Sequence, residues 1–345
     1  DFEAAMAAFQ HTLALDPTFA RAAVGVGTLV LFGADAANDV GGGLKPAETW
    51  AKRALAIDPH CGQAWALLSH IEIRAMRPDP QSGIEYAIKA VSLEPRAPEG
   101  HWMLGLWLGD PGSLSLWAAG FLRAFELDPL WTLPAADGAI ALSTLGKPND
   151  ALAVLERALR VDPDSPHLQY SQAFVLLKLG RYDEAETWLT ASKAGSTARH
   201  VAGEIWKEAR LQLAVLQQDA STSERLATEI VGAALADRAD ALSVQNAMLF
   251  AAPAMARMGR TDDALKILLR SVEVSSPPPY DWLLREPDFE PLRADPRFAR
   301  VLAASREGAE MVARVLQKAR TRGELPSYLE PPLDELVRLL KQPAG

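Results

Sequence analysis

The sequence contains a single cysteine, Cys61, and six histidines among its 345 residues. One cysteine excludes an internal disulfide bond. None of the histidines stands in an HxxxH or HExxH pattern, and nowhere do three or four potential ligands occur at the spacing of a metal site. We therefore predict neither a metal nor any other cofactor.

The signature motifs of common enzyme classes are missing too. The run Gly25–Gly27 does not continue to the third glycine of a dinucleotide-binding turn, because position 30 is valine. Gly41–Gly43 lacks the lysine and hydroxyl residue of a phosphate-binding loop. His60 and Cys61 fall in what we expect to be an exposed turn, without the third group that orients a catalytic imidazole. No serine has the flanking glycines of a nucleophile elbow, so we predict that the chain is not an enzyme.

Neither a long apolar run nor an excess of basic residues is present. No stretch approaches the roughly 18 apolar residues of a membrane span, and no signal peptide is visible. Acidic side chains outnumber basic ones by 44 to 35, which gives a net charge of −9, whereas a protein that binds nucleic acid presents a basic face. We predict a cytoplasmic protein with no membrane partner and no nucleic-acid partner.

What the sequence does contain is an internal repeat, clearest in residues 132–195. Two consecutive copies of one helix–turn–helix pattern are offset by 34 residues. The matching pairs are Leu145-Gly146 with Leu179-Gly180, Ala151 with Ala185, and Leu155 with Leu189. A period of this length is the signature of a stacked helical repeat.

Each shared position of the repeat has a physical reason. Gly146 and Gly180 stand where the first helix of each copy must end, because glycine enters the left-handed conformation without a steric cost. Ala151 and Ala185 are small, which allows two antiparallel helices to cross at close range. The proline of an acidic residue-proline pair, such as Pro163, ends the second helix because the residue before proline disfavours the α conformation. The pattern therefore predicts antiparallel helix pairs.

These residues resemble the tetratricopeptide repeat (TPR), a family of 34-residue helix pairs with small residues at set positions and a closing proline. The resemblance implies an all-α fold, a TPR superhelix of antiparallel helix pairs that binds protein or peptide partners. We expect residues 18–195 to form a regular array, residues 196–274 degenerate and then recovered repeats, and residues 275–345 an irregular helical cap. Residues 1–17 read as the second helix of a repeat whose first helix is missing, so we expect a longer natural polypeptide.

Two stretches depart from the repeat. The insertion in Gly33–Pro46 is rich in glycine and predicts a long flexible loop between two helices. Trp117 takes a position at which the family has alanine. We expect this large side chain either to splay its helix pair or to fill a space left by Gly120.

A second resemblance concerns two phrases, AKRALAIDP in residues 51–59 and PDFEPLRADPRFARVL in residues 287–302. Both look like the C-terminal TPR regions of bacterial multidomain regulators, in which the repeats follow a winged-helix, class III adenylate cyclase or protein kinase domain. The resemblance implies a signalling role, as a sensory or protein-interaction module that regulates an attached effector domain. The alternatives to this role are a structural scaffold of a multiprotein assembly and an accessory domain of a truncated enzyme.

The family resemblance also points to a concave groove, lined by set positions of the first helix of each repeat. We transferred these family positions to this chain residue by residue. The residues that we predict to bind a partner are His70, Arg74, Trp102, Leu106, Asp110, His167, Tyr170, Phe174 and Lys178. Chaperone-binding members hold a peptide carboxylate with lysines and asparagines at such positions. No asparagine stands at the ninth position of these helices here, so that activity is not implied. We expect an apolar, aromatic groove for a peptide or protein, and the alternative is that the chain itself covers it.

Overall fold

The computed structural model describes residues 2–36, 40–75, 78–109, 112–195, 202–237, 239, 241–274 and 277–342. In this part of the chain the secondary structure is helical and no strand occurs. The α-helices are α1 (Phe2–Leu15), α2 (Ala20–Ala36), α3 (Val40–Ile57), α4 (Gly62–Ile73), α5 (Pro80–Leu93), α6 (Pro98–Gly109), α7 (Leu114–Leu127), α8 (Leu133–Thr144), α9 (Pro148–Leu159), α10 (Pro166–Lys178), α11 (Tyr182–Gly195), α12 (Ala202–Leu216), α13 (Ala220–Ala234), α14 (Ala241–Asn246), α15 (Ala252–Arg257), α16 (Thr261–Val274), α17 (Tyr280–Arg285), α18 (Pro296–Thr321) and α19 (Glu330–Leu340). A π-helical segment covers Ala247–Ala251, and 3₁₀ turns cover Pro287–Leu292 and Ser327–Leu329.

The helices from α2 to α13 pack as consecutive antiparallel pairs. Each first helix contacts the second helix of its own pair, as α4 contacts α5 and α6 contacts α7. First helices also contact one another, α4 with α2 and α6, and α10 with α8 and α12. The predicted all-α superhelix of TPR type is confirmed.

The glycines predicted at helix ends and the alanines predicted at helix crossings have the expected conformation and burial. Gly146 and Gly180 have φ angles of +79° and +72°, so each ends its helix in the left-handed conformation. Ala151 and Ala185 have no exposed surface. Their methyl groups lie where the two helices of a pair cross.

The α6–α7 pair shows how Trp117 is accommodated. A Cβ atom on Gly120 would lie 2.4 Å from the backbone nitrogen of Gly105, so the two backbones touch at this point and the pair does not splay. A Cβ atom on Gly109 would lie 2.8 Å from Cγ of Trp117. The indole therefore fills the space at Gly109, one turn along α6 from Gly105, and not the space at Gly120.

The prediction of a long flexible loop in Gly33–Pro46 is wrong. α2 continues to Ala36 and α3 already begins at Val40, while residues 37–39 lie outside the described residues. Gly43 is in α3, and a Cβ atom there would lie 2.3 Å from Cβ of Ala34. A glycine in this run thus serves close helix packing, which composition alone cannot distinguish from flexibility.

A π-helical segment interrupts the helix that runs from α14 to α15. Pro253 lies at the start of α15 and cannot donate a backbone hydrogen bond to the preceding turn. A π segment directly before such a proline widens the helix and accommodates the missing bond. The repeat pattern in this stretch gave no indication of the widening.

Residues 277–342, which we call the C-terminal brace, pack against both the last pair and earlier pairs of the array. The helix α18 contacts α16 in the last pair and α5 in an early pair, and α19 contacts α7. A buried apolar cluster joins residues of α5 and α6 to residues of α18 and α19. The segment predicted as a terminal cap therefore also reaches the early repeats.

No helix in the described part of the chain is long and apolar enough to cross a membrane.

Candidate functional site

The predicted groove residues of α10 lie in the protein core. Tyr170 and Phe174 are 3% and 2% exposed. Their rings meet the ring of Phe250 edge to face, with centroid distances of 5.6 and 5.1 Å. Burial, with a smaller contribution from Glu208, raises the pKa of Tyr170. The π-helical segment that carries Phe250 covers this part of the concave face, so the expectation of an open groove at these two residues is wrong.

The other residues predicted in this half of the groove lie at its margins or underneath. Lys178 is exposed, and its ammonium group lies 5.8 Å from the ring centroid of Phe174. His167 is partly buried, with its Nε2 atom 3.1 Å from Oδ1 of Asp137 on α8. The concave residues of α8 are buried as well. The C-terminal half of the predicted groove therefore offers little accessible apolar surface.

A cavity of about 400 Å³ lies beside Lys178, and its lining is as polar as it is apolar. The N-terminal half is different, because its cavity of about 410 Å³, along α2, α4 and α6, has a mainly apolar lining. We call it the N-terminal groove. The residues that line it are Phe9, Arg21, Val24, Gly25, Thr28, Leu29, Phe32, Gln63, Ala66, Leu67, His70, Glu99, Trp102, Met103 and Trp131. Most of these side chains are apolar or aromatic, and each of the three first helices contributes several.

Four rings form a continuous row across the N-terminal groove. Phe32 meets His70 at a centroid distance of 5.4 Å, and His70 meets Trp102 at 5.2 Å. Trp131, in the turn between α7 and α8, extends the row, with its centroid 5.2 Å from that of Trp102. These separations are those of favourable aromatic pairs. The aromatic row thus joins side chains of three consecutive helix pairs and the turn before α8.

His70 behaves as a neutral aromatic residue at the centre of this row. The guanidinium Nε–H of Arg74 donates a hydrogen bond to Nε2 of His70 over 3.0 Å, so Nε2 has no proton. Burial, and then the charge of Arg74, lowers the pKa of His70 from 6.5 to about 3. The guanidinium carbon of Arg74 also lies 5.8 Å from the ring centroid of Phe32. The two predicted residues His70 and Arg74 are therefore coupled to each other and to the row.

The opposite edge of the groove, where α2, α4 and α6 begin, carries the polar groups. Gln63 donates a hydrogen bond from Nε2 to Oε1 of Glu99 over 3.1 Å. Arg21 lies 3.6 Å from Glu94, which also accepts a hydrogen bond from the backbone of α4. Among the described residues, Oε2 of Glu99 and Nε1 of Trp102 are buried and have no hydrogen-bond partner.

The predicted residue Leu106 of α6 does not line the cavity. Leu106 is half-buried and packs against the apolar cluster shared by α5, α6 and the C-terminal brace. Asp110 lies outside the described residues. Trp102 is thus the predicted residue of α6 that reaches the N-terminal groove.

Sequence reasoning missed the contribution of α2 and of the turn before α8. Arg21, Val24, Thr28 and Phe32 follow Pro17 at the same spacings at which Gln63, Ala66, His70 and Arg74 follow Pro59. Extending the repeat register one pair toward the N-terminus would have found them. Trp131 lies in a turn, where helix register gives no signal.

The turn that holds His60 and Cys61 is only partly exposed. Cys61 is 2% exposed, so the expectation of an exposed turn holds for His60 and fails for Cys61. Burial raises the pKa of the Cys61 thiol and so disfavours the thiolate. Among the described residues, no three His, Cys, Asp or Glu side chains form a group that could hold a metal ion.

The fold and the groove define the class of protein. Antiparallel helix pairs, left-handed glycines at the ends of α8 and α10, and an apolar groove lined by the first helices α2, α4 and α6 are the features of an α-helical repeat protein. Residues 137–198 match the family model described as tetratricopeptide repeat. This stretch is therefore similar to tetratricopeptide repeats, a fold that generally mediates interactions between proteins. No curated protein sequence matches the chain.

Several solved structures share the general architecture. A tetratricopeptide repeat protein from Parabacteroides merdae has a TM-score of 0.49 at 13% identity, over 81% of this chain and 98% of its own. The pilF protein of Pseudomonas aeruginosa has a TM-score of 0.46 at 20% identity, over 61% of this chain and 90% of its own. YrrB, described as a TPR protein with an unusual peptide-binding site, has a TM-score of 0.37 at 18% identity, over 56% and 95%. Likenesses of this size carry no argument about the function of this chain.

Proposed function

We propose that this chain is a protein-interaction module that binds a short segment of a protein partner in the N-terminal groove. The observation that carries the proposal is the aromatic row, which runs across three first helices and lines an open cavity. In the C-terminal half, the equivalent rings of Tyr170 and Phe174 are already covered by the chain itself. The working surface is therefore assigned to α2, α4 and α6.

The dimensions and composition of the groove support binding of a few residues. A volume of about 410 Å³ lies within the usual range of binding pockets, which are mainly apolar and carry a few placed polar groups. Phe32 is 42% exposed at one end of the row, although it is a large apolar side chain. Aromatic side chains with accessible faces are frequent hot spots of binding. Because Phe32, His70 and Trp102 stand on packed helices, these rings lose little ordering entropy when a partner binds.

The charges around the groove favour one type of segment. Arg74 lies at the end of α4, beside the ring of Phe32, and contributes positive charge at that edge. Glu94 and Glu99 lie at the opposite edge, where Arg21 partly offsets their negative charge. A segment with apolar anchors, an acidic residue near Arg74 and hydrogen-bond donors near Glu99 complements this arrangement.

Selection from a random heptapeptide library, with the whole chain immobilised, tests the proposal. We expect selected peptides to contain apolar residues and to lose at least about tenfold in affinity when Trp131→Ala removes one ring of the row. The matched control is Leu130→Ala, because Leu130 is the neighbouring residue, is 78% exposed and does not line the cavity. The proposal fails if no peptide is selected, or if both variants bind the selected peptides as the unchanged protein does.

We further propose that occupancy of the N-terminal groove regulates an attached effector domain. The support is the sequence resemblance of residues 51–59 and 287–302 to the TPR regions of bacterial multidomain regulators. The coding sequence upstream of this chain tests the idea, and a winged-helix, cyclase or kinase domain is expected there. Its activity should then respond to a selected heptapeptide, and an unresponsive domain would refute the regulatory role.

A further inference from the structure

Two polar atoms on α6 in the wall of the N-terminal groove have unused hydrogen-bonding capacity. Oε1 of Glu99 accepts the hydrogen bond from Gln63, whereas Oε2 is buried and has no partner among the described residues. Nε1 of Trp102 is likewise buried and without a partner. A buried polar atom without a hydrogen bond destabilises the protein, so two of them in one groove wall call for a ligand that satisfies both.

The two atoms require opposite chemistry. The carboxylate oxygen of Glu99 accepts a hydrogen bond, and the indole N–H of Trp102 donates one. The residues are three positions apart on one helix, so their side chains are neighbours. A ligand group that satisfies both must carry a donor and an acceptor a short distance apart.

This requirement distinguishes between the groups that a protein partner can offer. Lysine and arginine side chains are donors without an acceptor, and a carboxylate is an acceptor without a donor. A residue in extended conformation has its N–H and C=O on the same side of the backbone, both available when no neighbouring strand uses them. In the middle of a helix, the same groups are already bonded within the helix.

We propose, building on the peptide-binding function above, that the partner segment binds in extended conformation. One of its residues donates its backbone N–H to Oε2 of Glu99 and accepts the indole N–H of Trp102 at its C=O. The rings of the aromatic row then contact the side chains on either side of that residue. Since both protein atoms are buried, a covering side chain must shift. Trp131 is the ring in contact with Trp102 that stands on a turn, and we assign the movement to it.

The experiment uses a heptapeptide selected from the random library, bound to the whole chain. Each backbone N–H of the peptide is replaced in turn by N-methyl, and affinity is measured by calorimetry. We expect one position at which N-methylation weakens binding about tenfold, the loss of one hydrogen bond to a charged group. On the protein, Trp102→Phe keeps a ring and removes the donor, and it should weaken binding by a similar factor. The matched control is Trp65→Phe, because Trp65 stands on α4 but does not line the groove, and it should change the affinity less than about threefold.

A second readout follows the indole N–H signals by ¹⁵N-labelled NMR. The signal that disappears in the Trp102→Phe variant should move downfield when the heptapeptide is added, as expected for a newly formed hydrogen bond. An amide or hydroxyl side chain of the peptide (Asn, Gln, Ser, Thr or Tyr) also carries both a donor and an acceptor. If alanine replacement of such a residue abolishes the shift, that side chain makes the contact and the proposal is overturned.

The outcomes separate this inference from the proposed function. If the peptide loses affinity in the Trp131→Ala variant but tolerates N-methylation at every position, it binds the groove without the backbone contact. The extended mode is then refuted and the peptide-binding function stands. If no heptapeptide binds the groove at all, both proposals fail.

Discussion

The carboxylate of Asp281 accepts a hydrogen bond from the backbone N–H of Leu114 over 3.0 Å, and thereby caps the first turn of a helix 167 positions earlier in the chain. The hydroxyl of Ser113 donates to the other carboxylate oxygen, also over 3.0 Å. Asp281 is 1% exposed, and burial raises its pKa. An N-terminal cap normally comes from the residue just before the helix. Here part of it is supplied by the C-terminal brace.

Replacing Asp281 by alanine should therefore destabilise the protein by more than an ordinary cap does. The change leaves a buried backbone N–H and a buried hydroxyl without their acceptor, which costs about 1–3 kcal/mol for each group. The control is Asp219→Ala, which removes an exposed cap from α13 and should cost about 1 kcal/mol. Urea unfolding measures both. Equal losses would show that the contact between Asp281 and α7 stabilises the protein no more than an ordinary cap does.

The buried His70 predicts a specific dependence of stability on pH. Its pKa is 6.5 in a model peptide and about 3 in the folded chain, so between these values the unfolded state binds a proton that the folded state does not. The free energy of unfolding therefore falls as pH decreases below 6.5. One pKa unit corresponds to about 1.4 kcal/mol, so at about pH 5 this residue alone should cost about 2 kcal/mol relative to pH 7.5.

Urea unfolding of the unchanged protein and of a His70→Phe variant at these two pH values isolates the contribution. The variant keeps an aromatic ring between Phe32 and Trp102 but cannot titrate. Its loss of stability between the two pH values should be smaller by the amount given above. The burial of His101, whose pKa is also lowered, affects both proteins equally. An identical pH dependence would mean that His70 is accessible to protons in the folded state.

Phe174 should behave as a core residue when it is truncated. Phe174→Ala leaves a cavity beneath the ring of Phe250, and such changes cost about 3–5 kcal/mol. Lys178→Ala, one turn further along α10 and exposed, should change stability by no more than about 0.5 kcal/mol. Thermal unfolding followed by circular dichroism distinguishes them. A stable, helical Phe174→Ala variant would restore the possibility of a partner site on α10.

Local sequence rules predicted the repeat well, because each rests on neighbours within one or two helices. The left-handed glycines and the buried alanines at the crossings depend on the repeat unit itself, so a period of 34 residues is enough to place them. The cover over Tyr170 could not be predicted in the same way. Phe250 comes from a π-helical segment outside the regular register, and its position depends on how the later helices fold over the array.

The candidate site could be predicted only in part, because some of its residues follow the helix register and others do not. His70, Arg74 and Trp102 follow from the helix register and do meet in the structure. Phe32 lies in a helix whose C-terminal end adjoins a glycine-rich run, which resembles a loop by composition. Trp131 lies in a turn. Turn side chains have no periodicity, and only the packed structure shows which of them reach the groove.

The path of α18 has a consequence for how this array unfolds. In an open solenoid each repeat touches only its neighbours, so the terminal repeats can fray while the middle remains folded. Here one helix contacts both α16 and α5, which makes early and late repeats depend on each other. The array should consequently lose structure as a larger cooperative unit, with repeats from both halves melting together. Contacts so distant in sequence must also form late and at a high entropic cost, so the closing of the brace is expected to be the slow step of folding.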